Sequence, residues 1–423
     1  MINVVELLKH YKDITSFEVR TIKKQSHELY FVHKSLETIR NVEKTDCSVT
    51  IYNLHDNSLG SSKFTVFSGD DIDTVKEKVE LALITSKKIN NKPFELPKKE
   101  IMDSTIESNM EKYTLKEIGE KISEACFKAD AYEGGSINAL EIFVNKFNEE
   151  ILNSNGLDKK VTYYQALVEA IPTWTSEGES VEIYEQFTIN SLDLEKITSE
   201  LDSKMKEVEY RFIASKPEEK LNMKVALRPK EIYTLLSSLV SQVNVSTIFN
   251  HGNVFNVGDS LQSESNIDLL NVELKGNIKG CAYSKLFDNN GVSLVDTVVI
   301  KDGKYVSSFG NNRFSQYLNV LPTGALELLT VETGTLDKEQ LNEPYLELVS
   351  LSGLQLEIYS DYIGGEIRLG YIHEGKKITP VTGISFSGKL SEVLNTIKLS
   401  KTITQTSDYL GPDLMLIDKV DIL

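Results

Sequence analysis

Between residues 15 and 67, β-branched and aromatic residues cluster in short runs separated by polar turns. The runs EVRTIKK, HELYFVHK, SLETIRNV and CSVTIYN each read as a strand. Ahead of them, MINVVELLKHYKD mixes charged and apolar residues as a short amphipathic helix does. After them the period changes to helical, with Ile72, Val75, Val79, Ala82 and Leu83 on one face. Ser68 with Asp71 three residues on gives that helix a capping-box start. NNKPFELPKKE, Asn90 to Glu100, carries two prolines and reads as a linker.

A second unit repeats this plan. Thr114 and Glu117 form a capping box ahead of a stripe of Leu115, Ile118, Ile122, Cys126 and Ala129. EIFVNKF, EEILNSNGL, TYYQALVEAI and VEIYEQFTI read as strands. A long amphipathic helix bearing Leu194, Ile197, Leu201, Met205, Val208 and Phe212 ends the unit, and Pro217 stops it. From about residue 220 onward, turn signals such as FDNNGV, IKDGKY, FGNNRF and HEGKK separate short strands. Two helices interrupt them, near Lys230 to Gln242 behind Pro229 and near Lys389 to Leu399. The expected fold class is α+β: two helix–strand units, 1–100 and 101–220, followed by a mainly β domain, 221–423.

Composition supports a fully folded chain, because 40% of its 423 residues are hydrophobic against 26% charged and no segment is low-complexity. A net charge of −17 with no basic block argues against direct nucleic-acid binding and against an anionic membrane surface. Cys47, Cys126 and Cys281 are far apart, in no CxxC pair, which points to a reducing compartment. With no secretory segment and no apolar run of membrane-spanning length, the expected location is cytoplasmic.

Candidate chemistry is sparse. HELYFVH holds His27, Glu28 and His33, but the histidines are six apart in a strand-like run, roughly 20 Å at about 3.3 Å per residue. One ion cannot span that, so both are expected to be surface strand residues. His251 and His373 are isolated, at expected loop or hairpin positions. GISFSG, Gly383 to Gly388, lacks the glycine spacing of a nucleophile elbow. Cys126 lies on an apolar helix stripe and reads as a packing residue. No phosphate-binding glycine loop occurs, and FDNNG lacks the second half of a calcium loop and reads as a tight turn.

Several segments taken in order carry a family likeness: ILNSNGL at 151–157, the FDNNGV turn with VDTVVIKDGKYVSS after it, YIGGEIRLGYIHEGKKITPVTGISFSGKLSEVLNTI at 362–397, and GPDLMLIDKVDI at 411–422. Together they span nearly the whole chain, which resembles the TldD and TldE (PmbA) proteins, once labelled modulators of DNA gyrase. The resemblance implies a two-part peptidase. A TldD-like subunit supplies zinc through H-E-x-x-x-H and a later cysteine, and a TldE-like subunit supplies none.

In that family the metal motif sits on the helix matching EIYTLLSSLVSQ. Here no H-E-x-x-x-H occurs anywhere, and no cysteine follows Cys281. Aligning Leu235 and Leu236 with the apolar pair before the motif puts Ser237, Ser238 and Gln242 at its first histidine, glutamate and second histidine. None is a normal zinc ligand, so these are vestigial positions, equally explained as polar residues on a half-exposed helix. The expectation is a TldE/PmbA-like subunit with no catalytic or metal-binding residues of its own. It would pair with a TldD-like zinc peptidase subunit around a peptide substrate. Two alternatives stay open: a self-contained metallopeptidase using His251 or His373, and a stand-alone peptide-binding homodimer.

Overall fold

A computed structural model describes residues 3–263, 267–341 and 343–423. Met1 and Ile2 of the expected first helix lie outside them; the helix itself is α1, Val4–Leu8. There follow β1 (Ser16–Val32), β2 (Ser35–His55), β3 (Ser58–Val66), α2 (Ile72–Ser86), β4 (Ile101–Thr105) and α3 (Leu115–Lys128). Then come β5 (Gly135–Asn153), β6 (Asp158–Ser176), β7 (Glu179–Glu182), β8 (Glu185–Ile189) and α4 (Leu194–Ile213).

Both N-terminal units build one sheet, ordered β3-β2-β1-β5-β6-β4, with β7 and β8 also paired to β6. The join is β1 against β5, antiparallel from Glu18 opposite Asn153 to Val32 opposite Ala139. Several runs read separately prove continuous. SLETIRNV and CSVTIYN are both β2, and EIFVNKF with EEILN is β5, because a paired neighbour carries each strand through its polar middle.

Alternation sends one side of every strand toward the helices. Val75, Val79, Ala82 and Leu83 of α2 pack on Val19, Val49, Ile51 and Val66. Ile118, Ile122 and Cys126 of α3 share a core with Leu201 and Met205 of α4 and Ile142 and Val144 of β5. Thr114 and Glu117 form the expected capping box. The α2 start is corrected: Asp71 is its cap, accepting the Thr74 N–H at 2.8 Å, and Ser68 lies outside the helix.

The C-terminal part begins with β9 (Lys224–Leu227), α5 (Pro229–Ser241) and α6 (Val245–Phe249), then β10 (Val272–Lys275), β11 (Thr297–Lys301), β12 (Lys304–Tyr305), α7 (Asn312–Leu318) and β13 (Leu328–Val331). It continues through β14 (Tyr345–Leu351), β15 (Gln355–Glu357), β16 (Tyr362–Glu374), β17 (Lys377–Val381), β18 (Ile384–Lys389) and α8 (Leu390–Leu394). The last strands are β19 (Lys398–Leu399), β20 (Ile403–Gln405), β21 (Tyr409–Pro412), β22 (Met415–Ile417) and β23 (Val420–Ile422). The helix expected to reach Leu399 therefore ends at Leu394.

Two sheets result: β12-β11-β10-β13-β21-β20, and β19-β22-β9-β14-β16-β18-β23 with β15 and β17 on β16. Helix α5 is the spine between them. Its Ile232, Leu235, Leu236 and Leu239 are fully buried in one core with Leu274 and Leu329 of the first sheet and Leu346 and Ile363 of the second. The whole is α+β.

Two of the contacts between the halves involve the FDNNG turn and the linker. The FDNNG turn pushes Phe287 into a pocket of Ile106, Ile151, Leu157 and Val161. Asp288 holds the turn by accepting the N–H groups of Asn290 at 2.9 Å and Val292 at 3.0 Å. Beside it Lys159, fully buried, reaches Glu100 at 2.8 Å and Ser293 at 2.6 Å. The second contact is the 90–100 linker, which lies on α7. There Arg313 donates to Asn91 Oδ1 at 2.8 Å, and Asn312 to the Glu95 carbonyl at 2.7 Å.

Candidate functional site

The helix singled out from sequence is α5. Pro229 opens it at the first helical position, where a missing N–H costs nothing. The apolar residues of LLSSLVS turn inward. That leaves Lys230, Tyr233, Thr234, Ser237, Ser238 and Ser241 on the opposite, half-exposed to exposed side, so the outer face presents one ammonium and five hydroxyls.

Most of those hydroxyls are committed to the helix itself. Thr234 donates to the Lys230 carbonyl at 2.9 Å, Ser238 to that of Thr234 at 3.0 Å, and Ser241 to that of Ser238 at 2.7 Å. The Tyr233 hydroxyl donates to the Glu327 carbonyl at 3.2 Å. Gln242 differs from both serines. It is 5% exposed, and its Oε1 accepts the Val254 N–H at 2.7 Å, pinning the loop after α6. Hydroxyls bonded to carbonyls and a buried carboxamide do not fit a zinc ion.

What α5 does face is a junction of both halves of the chain. Burial raises the pKa of Tyr233, with the Asp408 carboxylate adding to it, and burial likewise raises that of Asp408. Ser407 donates to the Thr188 carbonyl at 2.8 Å, and Tyr283 meets the Thr188 hydroxyl at 3.2 Å. Lys196 of α4 donates to the Gln405 carbonyl at 3.0 Å, and Asn190 to that of Cys281 at 2.9 Å.

One cavity is lined in part by Leu410, and another by Tyr283. The larger, about 590 Å³, lies on the outer face of the six-stranded sheet, between Glu273, Lys275, Val298, Thr330 and Leu410. The smaller, about 90 Å³, lies between Arg20, Glu149, Tyr163 and Gln165 of the N-terminal sheet and the 283–287 segment. Tyr233, Tyr283 and Asp408 were not picked out from sequence. Only the placement of Tyr233 on the outer face of the chosen helix hinted at any of them.

One histidine expectation is corrected. His27 is buried rather than on the surface, with Nδ1 2.7 Å from Asn41 Oδ1 across the β1–β2 pair. His373 sits in the β16–β17 hairpin, opposite Ile378; its Nε2 is 2.7 Å from Glu347 Oε2, and its ring stacks on Tyr345 at 4.5 Å. His33 and His251 lie exposed at left-handed turn positions. Cys126 is fully buried, and burial pushes its thiol up to about 12, which keeps it protonated. Among the described residues, no three His, Cys, Asp or Glu side chains gather in a way that could hold a metal ion.

Residues 220–423 match the family model of the PmbA/TldA metallopeptidase C-terminal domain. The C-terminal domain belongs to the PmbA/TldD family. Solved structures extend the likeness of fold to the whole chain. TldE from Thermococcus kodakarensis superposes with a TM-score of 0.81 over 99% of both chains, at 16% identity. A protein labelled a candidate DNA gyrase modulator, from Bacteroides thetaiotaomicron, gives 0.79 at 14% identity, covering 98% of this chain and 95% of its own. Another so labelled, from Thermotoga maritima, gives 0.75 at 15% identity over 96% of both. None of the curated proteins matches by sequence. No described helix is long and apolar enough to cross a membrane.

Proposed function

We propose that this chain is the non-catalytic, TldE/PmbA-like half of a two-part zinc metallopeptidase acting in the cytoplasm on unfolded or flexible peptides. The observation that supports this reading is the outer face of α5, the helix that the resemblance aligns with the metal helix of TldD-like subunits, where Lys230 and five hydroxyl side chains stand and no usual zinc ligand does. A TldD-like partner would bring the zinc and a general base; zinc acidifies a bound water and polarises a carbonyl. This chain would contribute walls to the cleft. Strands β12 and β20 end the six-stranded sheet, and such edges accept an extended peptide through backbone hydrogen bonds. The cavity of about 590 Å³ on the same sheet gives a side chain room.

The test is to mix the purified chain with a TldD-like subunit from the same genome and size the mixture. Co-elution as one complex supports the pairing. Two unshifted peaks contradict it, and a lone chain already eluting as a dimer favours the peptide-binding homodimer.

A further inference from the structure

Helix α2 buries one face and leaves apolar side chains on the opposite one. Val75, Val79, Ala82 and Leu83 pack into the core formed with β1, β2 and β3. At about 100° per residue, Glu77, Leu81, Ile84 and Lys88 fall within about 60° of one another, directly across the helix from that core. Leu81 is 65% exposed and Ile84 58%. Glu77 and Lys88 are exposed as well, and among the described residues neither side chain has an ion-pair partner. Lys88 lies just past the helix end, in a last turn closed by its N–H on the Thr85 carbonyl at 3.0 Å. Phe67, 60% exposed, widens the apolar surface on one flank, with the Lys78 ammonium 4.6 Å from its ring centre.

The steps from 77 to 81, 84 and 88 are four, three and four residues, the spacing of successive d, a, d and a positions in a coiled coil. The run is also its own complement. Laid antiparallel on a second copy, it sets Leu81 opposite Ile84 and Glu77 opposite Lys88. A two-fold axis level with the Ala82–Leu83 bond thus produces two apolar layers with an ion pair at each end. Parallel pairing would set Glu77 on Glu77 and Lys88 on Lys88, where like charges repel. We propose that the outer face of α2 is a self-association surface, on which a second copy of this chain docks its own α2 antiparallel about a two-fold axis.

The core beneath α2 contains residues of the N-terminal unit only, so pairing through its outer face leaves the α5 face open to a different partner. The pairing holds whether or not the chain serves a zinc subunit. One helix pair covers less than the roughly 800 Å² per partner of a standard interface, so the dimer is weak, with Kd on the order of 10–100 μM, and separates at the dilution of a sizing column.

Sedimentation equilibrium of the full chain from about 5 to about 300 μM tests this, because mass action populates a weak dimer only at the upper end. Monomer at low concentration and rising dimer at high concentration are expected. A Leu81→Gln, Ile84→Gln variant, changed only at exposed positions, should stay monomeric throughout. Glu77→Lys places like charges opposite each other at both ends and should weaken the dimer about tenfold. Adding Lys88→Glu reverses both partners together and should restore it. A wild-type chain that stays monomeric at the highest concentration overturns the proposal. So does a dimer that the Leu81→Gln, Ile84→Gln variant forms equally well, or a Glu77→Lys, Lys88→Glu variant that pairs no more tightly than Glu77→Lys alone.

Discussion

Gly291 and Leu157 touch so closely that a Cβ added to the glycine would lie 2.3 Å from Leu157 Cδ2. The glycine also holds φ at +82°, a value that other residues adopt only with strain. Gly291→Ala therefore meets two penalties at the join between the halves, and a loss of about 2–4 kcal/mol is expected. Urea unfolding measures it; a loss under about 0.5 kcal/mol contradicts the tight fit.

Phe287, in the same turn, fills the pocket between Ile106, Ile151, Leu157 and Val161. Removing its ring leaves a cavity at a place where two cores meet, so Phe287→Ala should cost about 3–5 kcal/mol. It should also split the thermal transition into two, seen by calorimetry. A single transition with unchanged midpoint contradicts an interdomain lock.

Glu347 gives an acid-side prediction. Its carboxyl is held at about 2 against 4.5, so the stabilisation is complete above about pH 4.5 and is lost as pH falls toward 2. Its full size is on the order of 3 kcal/mol. Between pH 6 and 3 the wild-type melting temperature should drop more steeply than that of Glu347→Gln. Parallel curves contradict the ion pairs.

Restoring the family motif should fail. In a Ser237→His, Ser238→Glu, Gln242→His variant, position 242 stays buried while 237 and 238 are half-exposed. The Val254 N–H also loses its acceptor, costing about 1–3 kcal/mol. The variant should purify without zinc and melt earlier. Stoichiometric zinc by elemental analysis contradicts this geometry of α5.

Local signals were legible in the sequence. Thr114 with Glu117, Pro229 before α5 and the apolar stripes of α3 and α4 each depend on neighbours within a turn or two. What escaped depends on distant partners. The polar middle of β2, Asn41 to Asp46, looks like a turn until His27 to Ile22 of β1 pairs along it. The hairpin position of His373 was legible, but its partners Glu347 and Tyr345 were not, because they are on another strand. Lys159 gives no sign of burial without Glu100 and Ser293 beside it. The candidate site was half legible: α5 could be located by resemblance, but Asp408, Tyr283 and Thr188 reach it only through the packing of the two halves.

A division of labour between two subunits is tested most directly by titrating this chain into a fixed amount of a TldD-like zinc subunit and following cleavage of an unstructured peptide. Activity is expected to rise to a plateau at one chain per zinc subunit, with no cleavage by this chain alone. Cleavage by this chain alone that chelation abolishes, or a zinc subunit whose rate this chain leaves unchanged, contradicts it.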